Sequence, residues 1–189
     1  MAKVGMEYVV SGILTESEAG VASYAEGRYW GPASSFNITP NANDVTDYGD
    51  DRAVETDTSV NNVAVTVELN ENTLELESIL LGHQYNAESK TMTSSRDDIA
   101  PWIGLGCVGK SMKDSKVVYR AIFLCKVQMR DPSDENTTKT ETTSFNHSTY
   151  EGTAYALGDA KGTLTIKAEF ETLDEAKSFL NEKVGISKS

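Results

Sequence analysis

Cysteine, histidine, tryptophan and proline are all scarce in this 189-residue chain, with 2, 2, 2 and 4 copies. Two cysteines, Cys107 and Cys125, are too few for a disulfide framework. Both fall on predicted strands, where reduced buried thiols are the expectation and a bridge between neighbouring strands is the alternative. His83 and His147 stand apart from each other and from the cysteines, which excludes zinc-type ligand spacing. No apolar run approaches the ~20 residues of a membrane span, so no membrane partner is expected. The N-terminal stretch from Met1 to Tyr8 lacks the apolar core of a signal peptide, and synthesis ending in a cytosol is the corresponding expectation. Basic residues are outnumbered 17 to 29 by acidic ones, for a net charge of -12. That balance opposes direct nucleic-acid binding, which needs clustered lysine and arginine against phosphate. It favours solubility, and repels a polyanion from any channel the chain lines.

What is present suits one domain. The length can bury a substantial core, and 39% hydrophobic residues argue against wholesale disorder. The most specific local motif is Gly104 to Ser111, GLGCVGKS, a full match to the G-x-x-x-x-G-K-[ST] phosphate-binding loop. Such a loop leaves a parallel strand, wraps backbone N–H groups around phosphates and opens directly into a helix. The residues after it contradict that context. From Lys116 to Arg130 the odd positions Val117, Tyr119, Ala121, Phe123, Cys125, Val127 and Met129 are all apolar, at the period of a strand. No apolar strand here ends in an aspartate placed to hold magnesium. Ile103, Leu105 and Cys107 alternate as well, so the segment reads as two strands joined by a polar hairpin loop over 109–115. No nucleotide or other cofactor is expected.

Elsewhere, Met6–Leu14 reads as a first strand, Ala19–Thr39 as short strand candidates, and Val63–Leu69 as a strand. Pro40–Asn62 loses periodicity and reads as an extended acidic loop or arm, in which Asp44, Asp47, Asp50, Asp51, Glu55 and Asp57 surround a single Arg52. Asn72 is placed to cap a helix from Thr73, with Glu75 completing a capping box, Leu76, Ile79 and Leu80 on one face and Gly82 at its end. Tyr85–Ala100 is polar. The 131–136 turn leads to a threonine-rich strand over 137–146, and Gly162–Phe170 alternates again. Thr172 and Glu175 form a second capping box, opening a terminal helix over 172–185. The sum is about seven or eight strands and two short helices: a mainly β chain, an antiparallel β-sandwich or barrel with one or two short flanking α-helices.

Three clusters bear on chemistry. Asp47, Asp50 and Asp51 offer oxygen ligands, but their spacing matches no EF-hand loop, and no metal site is assigned. Asp97-Asp98 and Asp134-Glu135 sit where turns normally place carboxylates. Lys110, Lys113 and Lys116 form a basic cluster beside the hairpin loop, either solvated or paired to an acidic loop of a neighbouring subunit. Trp30 and Trp102 read as core or interface anchors.

The order of these segments resembles the major tail proteins of long-tailed bacteriophages of Gram-positive bacteria, the subunits of the tail tube. The similarity runs from about Phe36 to Phe179. Its landmarks are Ile38-Thr-Pro40, the acidic Asp47-Tyr-Gly-Asp-Asp51 with Val54-Glu55, the Val63–Leu69 strand and Leu80-Leu-Gly82. They continue with Pro101-Trp-Ile-Gly-Leu-Gly106, Val118-Tyr-Arg-Ala121, Lys126-Val127, Pro132 and the segment from Glu135 through Thr138-Lys-Thr140 to Phe145. The resemblance implies a virion structural protein without catalytic activity: a single tail-tube domain over 1–189 whose six copies close into a ring. Rings stack into the conduit for DNA ejection, and viral DNA passes through the lumen without specific binding. The implied partners are further copies of the chain, together with tape-measure, tail-terminator and distal tail proteins, assembled in the host bacterial cytoplasm. The implied inter-ring or inter-subunit contacts are Asp44, Asp47, Tyr48, Asp50, Asp51, Arg52 and Glu55 on the arm. Lys110 and Lys113 join them from the basic cluster. The rivals are the inner tube of a contractile tail or a phage-tail-like bacteriocin and, more distantly, a carbohydrate- or calcium-binding β-sandwich.

Overall fold

The structure is a computed structural model that describes residues 2–18, 20–42, 45–49, 52–57, 60–113, 116–132 and 148–186. The chain opens with β1 (Ala2–Glu16), β2 (Ala22–Tyr29) and β3 (Ala33–Ala42). There follow β4 (Val45–Gly49), β5 (Arg52–Asp57), β6 (Val60–Leu69) and helix α1 (Leu74–Leu81). Two short strands, β7 (Gln84–Asn86) and β8 (Thr91–Thr93), precede β9 (Trp102–Lys113) and β10 (Lys116–Arg130). The chain continues through β11 (Ser148–Tyr155) and β12 (Thr165–Phe170) to α2 (Leu173–Val184).

Eight strands form one antiparallel sheet in the order β2-β1-β9-β10-β11-β6-β3, with β12 also paired to β10. The mainly β reading with two helices is therefore right, and its count of strands was low. β11 was not expected. The threonine-rich strand expected over 137–146, and with it Asp134, Glu135 and His147, lies outside the described residues.

The sheet curls so that β1 comes against β3, and two cores result. In the first, Val63, Val65, Val67 and Leu69 of β6 face Val9 of β1, Ile103, Leu105 and Cys107 of β9, and Trp30, with α1 adding Leu76, Leu80 and Leu81. In the second, Ala176, Leu180 and Val184 of α2 cover Val10, Val108, Ala121, Phe123 and Cys125. β1, β9 and β10 thus supply buried residues to both cores.

A register break in β10 decides how its alternation is used. Pairing with β9 is regular from Lys116 to Leu124, shifts, and resumes at Val127 opposite Ile103. Before the shift the odd residues Ala121, Phe123 and Cys125 face α2; after it the odd residues Val127 and Met129 face the sandwich core. One apolar run of period two thereby serves two cores, because a bulge adds a residue and reverses the parity of the strand. The same break divides the outer edge of β10. Tyr119–Leu124 pairs with β12, and Lys126–Arg130 pairs with β11. It also places Cys107 and Cys125 in different cores, where both are buried free thiols, so the bridge considered from sequence is not made.

The helices start where polar caps allow. Thr172 is the N-cap of α2: its Oγ1 accepts from the Glu175 N–H at 3.3 Å, while the Glu175 carboxylate accepts from the Thr172 N–H at 3.3 Å. Gly185 then closes the helix in the left-handed region at φ 76. α1 differs from expectation. Its cap is Thr73, whose Oγ1 accepts from the Leu76 N–H at 3.3 Å. Asn72 accepts instead from the Tyr150 hydroxyl at 2.6 Å and donates to Glu77 at 2.7 Å. Glu75 pairs with Arg28 at 2.8 Å in place of completing a capping box.

Candidate functional site

The GLGCVGKS segment lies wholly inside β9 and leads into no helix. Its backbone is committed to strands on both sides. Gly104 is opposite Gly12 of β1, and Gly106 is opposite Val10 of β1 and Phe123 of β10. A phosphate cradle needs several free N–H groups converging on one point, whereas a strand paired on both edges points them alternately outward and uses them. The glycines have a packing role instead. A Cβ on Gly104 would lie 2.5 Å from the Tyr24 ring and 2.6 Å from the Phe123 ring, and one on Gly106 would lie 2.9 Å from Leu180 of α2. Those rings meet edge to face at 5.1 Å, and the Tyr24 hydroxyl donates to the Cys125 carbonyl at 2.8 Å. Burial, and secondarily the neighbouring Cys125, push the Tyr24 hydroxyl well above its ordinary pKa, so it remains a proton donor.

The hairpin loop expected over 109–115 is a correction. β9 runs on to Lys113 and β10 starts at Lys116, so Gly109, Lys110 and Ser111 are strand residues opposite Arg120, Tyr119 and Val118. The polar composition misleads because β1 also pairs here, with Lys3 opposite Ser111, and Ser111 is buried. Lys110 sits 3.6 Å from the Glu7 carboxylate, both about one-third exposed. Lys113 and Lys116 are directly opposite at the last described pair of β9 and β10. Met112 and Val117, also opposite each other, are exposed there.

The acidic arm is the second correction. β3 extends through Pro40 to Ala42 and β6 begins at Val60, with Asn41 opposite Asn62 and a 2.7 Å amide–amide hydrogen bond between them. The chain then prolongs this hairpin as the β4–β5 ribbon, from Val45 opposite Asp57 to Gly49 opposite Arg52. Asp47 is opposite Glu55 and Tyr48 opposite Ala53. Asp44, Asp50 and Asp51 lie outside the described residues. Periodicity failed as a signal here because Val45–Asp57 does not alternate apolar with polar residues, although its backbone pairs as a ribbon.

Other polar groups were not anticipated. Both His83 ring nitrogens approach carboxylates: Nδ1 is 2.9 Å from Asp98 and Nε2 is 3.3 Å from Asp131. It ties the end of α1 to the segment before β9 and to the residue after β10. Asp98 also accepts from the Ser95 N–H at 2.7 Å; that bond first, and His83 second, hold its carboxyl below the usual range. With both nitrogens engaged, the imidazole acts as a strut. On the far side, Glu16 accepts from Lys126 at 2.6 Å, and Lys126 lies over the Trp102 ring at 5.1 Å. Lys126, then the Gly158 N–H, lower the Glu16 pKa. Trp102 meets Tyr155 edge to face, while Trp30 is a core anchor whose Nε1 donates to Ser11 at 2.7 Å.

The outer face of β3–β6–β11 is polar. Val63, Val65 and Val67 turn inward, leaving Asn37, Thr39, Asn62, Thr66, Glu151 and Thr153 on the other side. Among the described residues no three His, Cys, Asp or Glu side chains approach closely enough to hold a metal ion, and no helix is long and apolar enough to cross a membrane. No protein-family model matches the chain, and no curated protein sequence matches it.

Proposed function

We infer that this chain is a self-assembling structural subunit of the tail-tube kind, working by shape and charge. The observation that carries the reading is the hairpin of β3 and β6, which outgrows the sandwich and continues as the acidic β4–β5 ribbon. A two-stranded ribbon is marginal by itself in water, and directly opposed like charges, as at Asp47 and Glu55, weaken it further. Such an arm gains its order from a partner that supplies cations or further strands. In the proposed tube that partner is a copy in the adjoining ring, contacted through Asp44, Asp47, Tyr48, Asp50, Asp51, Arg52 and Glu55.

Two further features support assembly. Among the described residues the outer edges of β2, β3 and β12 carry no neighbouring strand, and unpaired edges invite pairing with another chain. Strand pairing across subunits would close a six-membered ring, and rings joined by arms would stack. The polar β3–β6–β11 face, with Glu68 and Glu151 among its threonines and asparagines, is the natural wall of the lumen. With -12 on every copy, DNA would slide past it without adhering. Tape-measure, tail-terminator and distal tail proteins would meet the inside and the ends of that tube, within a virion.

Negative-stain microscopy of the purified protein at high concentration tests the reading. Hollow rings or tubes are expected, and a monomer that persists under every assembly condition would sink it. Replacing residues 44–57 by a short Gly-Ser turn should leave the sandwich folded while abolishing stacking.

A further inference from the structure

We propose that His83 is a proton-operated latch. With both ring nitrogens protonated it holds Asp98 and Asp131 together; on losing a proton it releases Asp131, and with it the end of β10. The His83 side chain is only 7% exposed, yet Nδ1 lies 2.9 Å from Asp98 and Nε2 3.3 Å from Asp131. A neutral imidazole has one N–H and one lone pair, so it donates to one carboxylate and turns the lone pair toward the other. The imidazolium form donates to both.

The surroundings favour the charged ring. His83 follows Gly82, the C-cap of α1, and its backbone N–H donates to the Ser78 carbonyl at 2.9 Å. A cation is stabilised at this end of a helix, and the last turn of α1 has no basic residue to supply one. β7, which follows His83 in the chain, carries no carboxylate, lysine or arginine. Asp98 comes from the segment before β9, where Arg96 and Asp97 are exposed, and Asp131 from the end of β10, beside the exposed Arg130. Among the described residues neither carboxylate forms an ion pair with a lysine or arginine, so the imidazolium is their common counter-ion.

The two carboxylates are held unequally. The Asp98 side chain is 14% exposed and also accepts the Ser95 N–H at 2.7 Å. The Asp131 side chain is 73% exposed and its contact with the ring is the longer one, so it returns to water at little cost and leaves first. Gln128 still joins β10 to the segment before β9, through its Nε2 on the Ala100 carbonyl at 2.9 Å, which confines the release to the last residues of the strand. Because the closed latch binds the additional proton, rising pH opens it; lowering pH closes it, until the carboxylates are themselves protonated. The latch works within a single copy and does not depend on the self-assembly reading.

Nuclear magnetic resonance of the isotope-labelled full chain, followed over pH through the titration of the ring itself, tests the latch. A proton on each His83 ring nitrogen is expected at the acid end, and the Asp131 amide signal should move along the same curve as the ring. His83→Gln identifies the ring signals and should leave the Asp131 amide unmoved over that range. Asp131→Asn should shift the midpoint of the ring to lower pH, and by more than Asp97→Asn, which removes an equal charge nearby from a residue that makes no ion pair with the ring. Both aspartates are exposed, and circular dichroism checks that the variants fold. A ring that carries a single proton at every pH where the chain is folded would overturn the latch. So would an Asp131 amide that ignores the titration of the ring, or equal midpoint shifts in the two aspartate variants.

Discussion

Alanine substituted in turn at the three glycines of GLGCVGKS separates a packing role from a phosphate-binding one. At Gly104 the new methyl would have to fit where the Tyr24 and Phe123 rings stand 2.5 and 2.6 Å away. Neither ring can retreat easily. Tyr24 is held by its hydroxyl on the Cys125 carbonyl, and Phe123 is fully buried under α2. Overpacking of a tight core costs about 1–3 kcal/mol, so a loss of ~2 kcal/mol is expected, or about 4–8 °C in Tm for a chain of this size. At Gly106 the nearest atoms belong to the flexible end of Leu180, at 2.9 Å, and the expected cost is about 1 kcal/mol. At Gly109 nothing lies closer than 3.9 Å, so alanine there should be neutral or stabilise by a few tenths of a kcal/mol by restricting the unfolded chain. Lys110→Ala removes only a part-exposed ion pair and should change stability by less than ~1 kcal/mol. Thermal and urea unfolding give the ranking, with Gly104 most sensitive and Gly109 and Lys110 least. A phosphate-binding loop would give a different result, with nucleotide affinity lost at Gly109 and Lys110. Nucleotide-dependent stabilisation of the wild type, abolished in Lys110→Ala, would refute the packing account.

Leu180→Ala should destabilise by about 3 kcal/mol, because Leu180 is fully buried between α2 and β9 and leaves a cavity above Gly106. The check is the urea midpoint at unchanged m-value. Thr172→Ala removes the hydroxyl that caps α2 and should cost about 1 kcal/mol, read as a Tm drop of about 2–4 °C, with Thr172→Ser recovering most of it. Acid should destabilise the fold through Glu16 and Asp98. Both carboxyls have folded pKa values below the ordinary ones, so their contribution is complete above about pH 4.5 and is lost as pH falls through the folded values. Lys126→Met, which removes the largest cause acting on Glu16, should flatten the stability–pH slope below about pH 4.5. An unchanged slope would contradict the assignment.

Local signals in the chain proved readable wherever local chemistry sets the structure. The Thr172–Glu175 capping box and Gly185 bound α2 because a helix end is decided by its own first and last turns. The alternation of β9 and β10 excluded a phosphate-binding helix. The same reasoning placed the cap of α1 one residue early, at Asn72 in place of Thr73. Asn72 and Thr73 are both good caps, and the choice fell to Tyr150 of β11, a partner 78 residues distant that recruits Asn72. His83 looked isolated because Asp98 and Asp131 reach it from segments far along the chain. The arm read as a loop because the backbone pairing of Val45–Gly49 with Arg52–Asp57 leaves no trace in hydrophobic period.

What the sequence determined by itself was the class of structure, mainly antiparallel β with two helices, the start and stop of α2, and the excess of acidic over basic residues. These depend on residue type and spacing within a few turns or strand lengths. The tertiary structure alone decided which face each apolar residue serves. The shift between Leu124 and Val127 sends Cys125 toward α2 and Val127 into the sandwich, although the residues keep one unbroken alternation. A bulge is a property of two strands in register, and no single strand encodes it. The tertiary structure likewise turned Gly104 and Gly106 from a nucleotide motif into seats for two rings and a leucine. The reason is the same: only packing shows what occupies the space where a side chain is missing.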